Sequence, residues 1–465
     1  MKMKVVLFYP SFTGGDKYHW APFPYIYLGP FLEKAGFEVQ IIDARVDSQW
    51  RNTLKSALES AICLGVTSMT GSDYKDAVES TRIAKEIDHR FPVIWVGPQA
   101  TDQARLVADI DSVDVVVRGQ GEIVLCEFVR RIVAGLPYDD LDGITYKREG
   151  VIYENRLAEP IPFDYDIFEG WHLLDIEKYR SPNNIVAIFT ARGCPFSCTF
   201  CTTGAKLYSE RSFEQVQRQV LHVVKDLKFP NIFIHDGTYF FNKDRVLKIA
   251  RWFIDANLNI KWKAKARANT LFIYSDEEMR LLKKSGLISI FFGMESGSEK
   301  VLKNMNKNIQ SRDAERSACI CRDYGIEFYA SYMFATPYET VEDLRATIES
   351  IKCIKRSNPN AIIQNCIYLP LPGTPMYEQA SVCGFIPPGT IEEWGNRKVA
   401  TQFDSKDLVT WIPDDILKEY IWVYSQEFTG YKNLWERELD GTYKSVFNLT
   451  LDSAVKDKSD GYADK

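Results

Sequence analysis

Cys194-Pro-Phe-Ser-Cys198-Thr-Phe-Cys201 places three thiols within eight residues. Three thiolates on one loop can grip one metal centre, and thiolates suit zinc or an iron–sulfur cluster. Structural zinc takes four closed ligands. No further Cys or His stands where it would complete a pair of C-x2-C motifs; the nearest histidines are His172 and His222. Three ligands leave a four-iron cluster with one open iron, and an open iron is a place for chemistry. The bland alternative is a buried trio of structural thiols. The other seven cysteines carry no such spacing. Cys319 and Cys321 lie two apart on a helical pattern and face different ways. Cys63, Cys126, Cys353, Cys366 and Cys383 read as small buried hydrophobes.

The elements around the cysteines alternate between short apolar strands and helices. Strand candidates are Ile185–Thr190, Asn231–His235, Lys261–Ala266, Ile288–Gly293, Glu327–Phe334 and Ala361–Tyr368. The helices between them carry start signals: Ser212 before Gln215, Ser275 before Glu278, and Asn242 and Thr340 as N-caps. Six βα units are too few for a closed eight-stranded barrel of roughly 250 residues, so the pattern predicts a partial (β/α)6 TIM-like barrel. Functional groups then belong at the strand C-termini, where the cysteine loop sits.

An earlier alternation runs from Lys4 to Ala134. Strand candidates Lys4–Tyr9, Glu38–Ile42, Ile62–Thr67, Val93–Val96 and Val113–Arg118 are separated by helical segments. This predicts a doubly wound, Rossmann-like parallel sheet. Ligands in such sheets bind outside the strand C-termini. The loops there (Ser11–Pro24, Ser68–Gly71, Gly97–Thr101 and Gly119–Glu122) are rich in Gly, Ser and Thr, as close backbone approach to a ligand requires. The α/β chain therefore divides into a sheet domain over 1–140, a hairpin and linker over 141–183, the partial barrel over 184–389 and a C-terminal segment over 390–465. Between Pro413 and Leu434 the pattern is helical and aromatic-rich, either packing or a cap over the barrel mouth. The end of the chain reads as a polar tail.

Composition narrows the classes further. The 465 residues carry 57 Lys and Arg against 63 Asp and Glu, a net charge of −6, so there is no broad footprint for nucleic acid. No apolar stretch reaches 18 residues, so no membrane span is expected. The opening Val5-Val-Leu-Phe8 run is too short for a signal peptide, and a reducing cytoplasm is the expected compartment.

Cx3Cx2C after the first strand of a partial βα barrel resembles the radical S-adenosylmethionine (SAM) superfamily. The resemblance implies that Cys194, Cys198 and Cys201 hold a 4Fe–4S cluster, and that SAM chelates the open iron. It further implies one-electron cleavage of SAM to a 5′-deoxyadenosyl radical. Phe200, before the last cysteine, is implied near the adenine. Asp236 and Gly237, in His235-Asp-Gly, stand where the family binds the SAM amino group. Arg267 stands where relatives place a basic residue near the SAM carboxylate. Glu295 and Ser296, in Gly293-Met-Glu-Ser-Gly297, resemble the G-x-E-S-G contact. Ala335-Thr-Pro-Tyr-Glu-Thr340 is similar to the family's G-x-P-G-E-T, with Ala335 and Tyr338 in place of glycines. Leu371-Pro-Gly-Thr-Pro-Met-Tyr377 matches its P-G-T-P-x-Y run.

The N-terminal layout resembles the cobalamin-binding domain that precedes the barrel in one radical SAM class. Ser68, Thr70 and Gly71 resemble its S-x-T-G loop; Gly119, Gly121 and Glu122 its G-x-G-E turn; Gly97 stands at its G-G-x-H position, with Pro98 and Gln99 departing from it. The D-x-H-x-x-G motif, whose His ligates cobalt in other cobalamin proteins, is absent from the first loop. Many members of the class also lack it, and the resemblance implies cobalamin bound base-off without a His ligand, the alternative being a vestigial sheet domain that only packs on the barrel. The class implies activation of an inert C–H bond and methyl transfer from methylcobalamin to a small-molecule or peptide substrate, with flavodoxin or ferredoxin as electron donor. The alternatives are ring closure, rearrangement or dehydration without methylation, and, in another class, a non-catalytic metal-binding scaffold.

Overall fold

The computed structural model describes residues 2–11, 20–68, 74–164, 169–203, 208–396 and 410–412. They form two compact units, one built on residues 1–180 and the other on 181–370 with 374–386. The described residues 410–412 belong to the second unit, and Leu371–Gly373 with the described residues 387–396 belong to the first. There the helix Ile391–Asn396 packs on the helix Tyr74–Ile87. The helical pattern over 413–434, the polar tail, Thr70 and Gly71 lie outside the described residues.

In the first unit the strands are β1 (Lys4–Tyr9), β2 (Glu38–Asp43), β3 (Ala61–Thr67), β4 (Val93–Val96), β5 (Val115–Val117), β6 (Ile144–Arg148) and β7 (Val151–Glu154). Their order is β2-β1-β3-β4-β5-β6-β7. The first five run parallel and the last two add as an antiparallel hairpin. The parallel strands lie between helices, so β4 and β5 are apolar at every position and wholly buried. Helices Phe23–Lys34 and Gly121–Ala134 close one face, with Leu7, Ile94, Val117, Leu32 and Phe128 in the shared core. The β6–β7 turn is tight because Glu149 (φ 51°) and Gly150 (φ 77°) are both left-handed, as a two-residue hairpin favours. Sequence expects a single helix over Asp102–Ala108. The chain instead makes two short ones, Pro98–Asp102 and Ala104–Ala108, because Gln103 leaves helical geometry at φ −124°.

The second unit is an open barrel of six parallel strands. These are β8 (Ile185–Ile188), β11 (Asn231–Ile234), β12 (Lys261–Arg267), β13 (Leu287–Glu295), β14 (Glu327–Phe334) and β15 (Ile362–Ile367); the ribbon β9 (Ala191–Arg192) and β10 (Ser209–Glu210) lies apart. Each of the six pairs with its sequence neighbour, and β8 and β15 end the sheet. The start signals act as read. Ser212 accepts from Gln215 N, Asn242 from Arg245 N, and Ser275 and Thr340 form capping boxes with Glu278 and Asp343.

Alternate residues take opposite faces of each strand. On β12, Trp262, Ala264 and Ala266 are buried on the outer face, with Trp262 against Phe253 of the helix Lys243–Asp255. Lys263, Lys265 and Arg267 turn inward. Inward residues such as His235, Lys265, Phe291, Ser331 and Gln364 keep partial exposure, while their outward neighbours are buried. At these positions the inner face of the sheet is less covered than the outer one.

Candidate functional site

The cysteine loop leaves the C-terminal end of β8 and is tied at several points. Asp236 follows β11. Its carboxylate accepts from Thr190 N at 2.7 Å, Thr190 Oγ1 at 2.5 Å and Ala191 N at 3.0 Å. Arg245 donates to the Thr190 hydroxyl and carbonyl at 3.0 and 2.8 Å. The ribbon β9–β10 then closes the base of the loop. Farther along, Thr199 N donates to Met305 O at 2.9 Å and Thr199 O accepts from Met376 N at 2.9 Å. Asn306 Nδ2 donates to the Ser197 carbonyl and hydroxyl at 3.0 and 2.8 Å.

Cys194, Cys198 and Cys201 are free and partly exposed. Burial pushes the Cys194 thiol up, and the neighbouring Cys201 and Cys198 add to the shift, so a thiolate there calls for a cationic centre. Among the described residues no three His, Cys, Asp or Glu side chains converge to hold one metal ion. A four-iron cluster gives each cysteine its own iron, and three free thiols on one loop match that ligand count.

Arg267, at the end of β12, reaches the same loop. Its Nη1 lies 3.5 Å from Cys198 Sγ and its guanidinium sits 3.9 Å over the Phe196 ring. Nε and Nη2 are buried without a partner among the described residues. Unsatisfied charged donors are costly, and an anion beside Cys198 would satisfy them. The SAM carboxylate fits this seat. Gly237 lets the cysteine loop pack close against the end of β11: a Cβ there would meet Gly193 O at 3.0 Å and Cys194 Cβ at 3.4 Å.

Glu295 sits at a register shift between β13 and β14, with φ 64°. Its Oε1 accepts from Lys307 Nζ at 2.8 Å in a buried ion pair, and its other oxygen has no partner among the described residues. Lys307 also lies 5.5 Å from the Phe200 ring centre, which brings Phe200 and Glu295 to one neighbourhood.

Two of the expected contact residues also hold the structure together. The carboxylate of Asp236 is buried and accepts from Thr190 and Ala191, which positions the cysteine loop. The Ser296 hydroxyl is buried and lies 3.0 Å from Thr347 Oγ1, and it accepts from Ser298 N at 3.1 Å. It pins the strand-end turn to the helix Val341–Ser357. Gly297 allows this close approach, since a Cβ would lie 2.7 Å from Thr347 Cα. Lys307, Thr190 and Asn306 were not legible as site residues, because each acts on a partner far away in the chain.

In the first unit the order β2-β1-β3 reverses direction between β1 and β3, the switch point at which such sheets bind ligands. Ser68 lies there, buried, accepting from Trp95 Nε1 at 3.0 Å. Gly97 has φ 110°, and a Cβ would lie 2.5 Å from Thr67 Oγ1. Gly119 has φ 74° with open space around it. Thr101 joins the two loops, donating to Gly97 O and accepting from Gly119 N. Gly121 and the buried Glu122 open the helix Gly121–Ala134. Bare backbone at these strand ends fits a large cofactor laid along the sheet edge.

A Rossmann-like sheet and an open six-stranded βα barrel bearing a three-cysteine loop define an enzyme that works through bound cofactors. Residues 188–351 match the radical SAM superfamily model, and residues 16–129 match the B12 binding domain. An uncharacterized methyltransferase of Pyrococcus horikoshii is 30% identical over 334 residues, covering 68% of this chain and 69% of that protein. The anaerobic magnesium-protoporphyrin IX monomethyl ester cyclase of Rubrivivax gelatinosus is 25% identical, covering 81% and 70%. The radical SAM methyltransferase TsrM from Kitasatospora setae shares the fold at a TM-score of 0.68 and 19% identity, covering 84% of this chain and 77% of that one. The cobalamin-dependent radical enzyme OxsB does so at 0.69 and 18%, covering 82% and 61%. The chain belongs to the radical SAM superfamily and carries its B12-binding domain. It is an enzyme of the 4Fe–4S cluster, SAM and cobalamin. Among the described residues no helix is long and apolar enough to cross a membrane.

Proposed function

We propose that the enzyme methylates an unactivated carbon of a small-molecule or peptide substrate. When bound, the cluster supplies one electron for SAM cleavage, SAM the hydrogen-abstracting radical, and cobalamin the methyl group. Cys194, Cys198 and Cys201 hold the cluster. Arg267 presents its two unpartnered N–H groups to the SAM carboxylate beside Cys198. Glu295, oriented by Lys307, offers its remaining oxygen to SAM, and Phe200 packs nearby. Gly237 lets the cysteine loop pack close to the end of β11, beside the amino-acid end of SAM, and Asp236 keeps the loop in register. Ser68, Gly97, Gly119 and Gly121, with Thr70, Gly71 and Glu122, cradle cobalamin. Flavodoxin or ferredoxin delivers the electron in a reducing cytoplasm.

The observation that carries this reading is Arg267 at Cys198, a buried guanidinium with free donors at the edge of a three-thiol loop. Anaerobic reconstitution with iron, sulfide, cobalamin, SAM and a reductant tests it. Methylation yields both 5′-deoxyadenosine and S-adenosylhomocysteine; a ring closure or rearrangement yields the first alone. If Cys198→Ala retains cluster absorption and SAM cleavage, the assignment is wrong.

A further inference from the structure

The inner face of β12 is cationic. Lys263, Lys265 and Arg267 stand at alternate positions of β12 and share its inner face. Arg267 is taken up at the cysteine loop and Lys263 is buried below. Between them Lys265 keeps partial exposure to the lumen. Its Nζ lies 3.3 Å from His235 Nδ1, and no carboxylate pairs with it among the described residues. The carboxylate of Asp236, one residue from His235, is already committed to Thr190 and Ala191. The buried Lys307, by contrast, has Glu295 as its partner.

We propose that Lys265 and His235 form an anion seat in the barrel lumen, anchoring a carboxylate or phosphate group of the substrate. This rests on the barrel being where the substrate meets SAM. The ammonium has an imidazole nitrogen at 3.3 Å and the Phe233 ring 5.8 Å away, with no carboxylate in ion-pair reach among the described residues, so its charge is incompletely satisfied. An incoming anionic oxygen supplies the missing charge and hydrogen bond. Burial lowers Lys265 to about 8, although Asp236 and Cys201 act in the opposite direction. Burial, with Lys265 and Lys263 adding, lowers His235 to about 3, so the imidazole is neutral and does not repel the ammonium. The wall beside this seat is aromatic. Phe233 stacks edge-on to His235 at 4.7 Å, Phe291 sits opposite Lys265 in register, and Tyr329 lies 4.6 Å from Phe291. The seat therefore suits an anionic group on an apolar or planar body, held one strand step below the arginine at the cluster loop.

Amine trapping reads the seat directly. The reconstituted holoenzyme is treated at pH 8 with pyridoxal and borohydride, and labelled lysines are identified by peptide mass spectrometry. Inorganic phosphate and butyrate are the probes, with chloride at matched ionic strength as control. Either probe at ten times its dissociation constant should slow labelling of Lys265 by about tenfold. Exposed Lys225 should label as it does in chloride. The stronger protector, phosphate or butyrate, identifies the class of group. Equal protection of Lys265 and Lys225, no protection beyond chloride, or no labelling of Lys265 without probe overturns the proposal. Cluster absorption of the same sample reports separately on Cys194, Cys198 and Cys201.

Discussion

The backbone N–H and the hydroxyl of Thr190 both donate to the carboxylate of Asp236, at 2.7 and 2.5 Å. This link joins the end of β11 to the start of the cysteine loop. Asp236→Ala strips three donors of their acceptor and should cost about 3 kcal/mol or more. Asp236→Asn keeps one acceptor oxygen for the two backbone N–H groups and should cost less than half as much. Urea midpoints measure both, and iron content should fall with the larger loss. Equal midpoints for the two variants would refute the acceptor role.

Lys307 and Glu295 form a buried ion pair. Lys307→Met leaves the carboxylate buried and uncompensated, at a cost of about 3–5 kcal/mol. Lys307→Met combined with Glu295→Met removes both charges, and the double variant should be more stable than Lys307→Met alone. Denaturant titration of the four proteins decides this. A double variant weaker than both singles speaks against the pairing.

Glu339 is buried, with Oε2 accepting from Thr336 N at 2.9 Å and Oε1 without a partner among the described residues. Burial pushes its carboxyl up from 4.5 to about 7. A raised folded value means the native state prefers the protonated form. The stabilisation is complete below pH 4.5, is lost as pH rises through 7, and stays lost above it. The full swing is about 3 kcal/mol. Glu339→Gln cannot ionise, so its stability relative to wild type should climb by about that much from pH 4.5 to 8. A difference that stays flat with pH sinks the claim.

Ala335 and Tyr338 both lie in the left-handed region, at φ 62° and 64°. Tyr338 is 50% exposed, so Tyr338→Gly gives up little packing and should gain about 0.5–1 kcal/mol from relief of strain. Ala335 is fully buried, and Ala335→Gly loses a methyl worth about 0.8 kcal/mol, leaving it near neutral. Thermal midpoints distinguish the two: a Tyr338→Gly midpoint at or below wild type contradicts the argument.

The cysteine spacing, the strand alternation and the helix caps were legible in the sequence because each is a short-range pattern. A loop of three thiols, a period of two and an N-cap with its third residue all lie within one turn or strand. Partnerships across strands were decided only by the fold. Asp236 stands at a strand end, as expected, yet its carboxylate serves Thr190, 46 positions away. Ser296 turns to Thr347, 51 away, and Glu295 finds Lys307. Which oxygen is spent inside and which is left for a ligand depends on how strands β8, β11, β12 and β13 are brought side by side, and no local rule carries that. The sequence determined the class of chemistry, because metal ligation is a matter of residue type and spacing. The tertiary structure decided which neighbouring polar groups do structural work and which keep donors or acceptors unspent, because satisfaction of buried polar groups is settled only when the whole chain has packed.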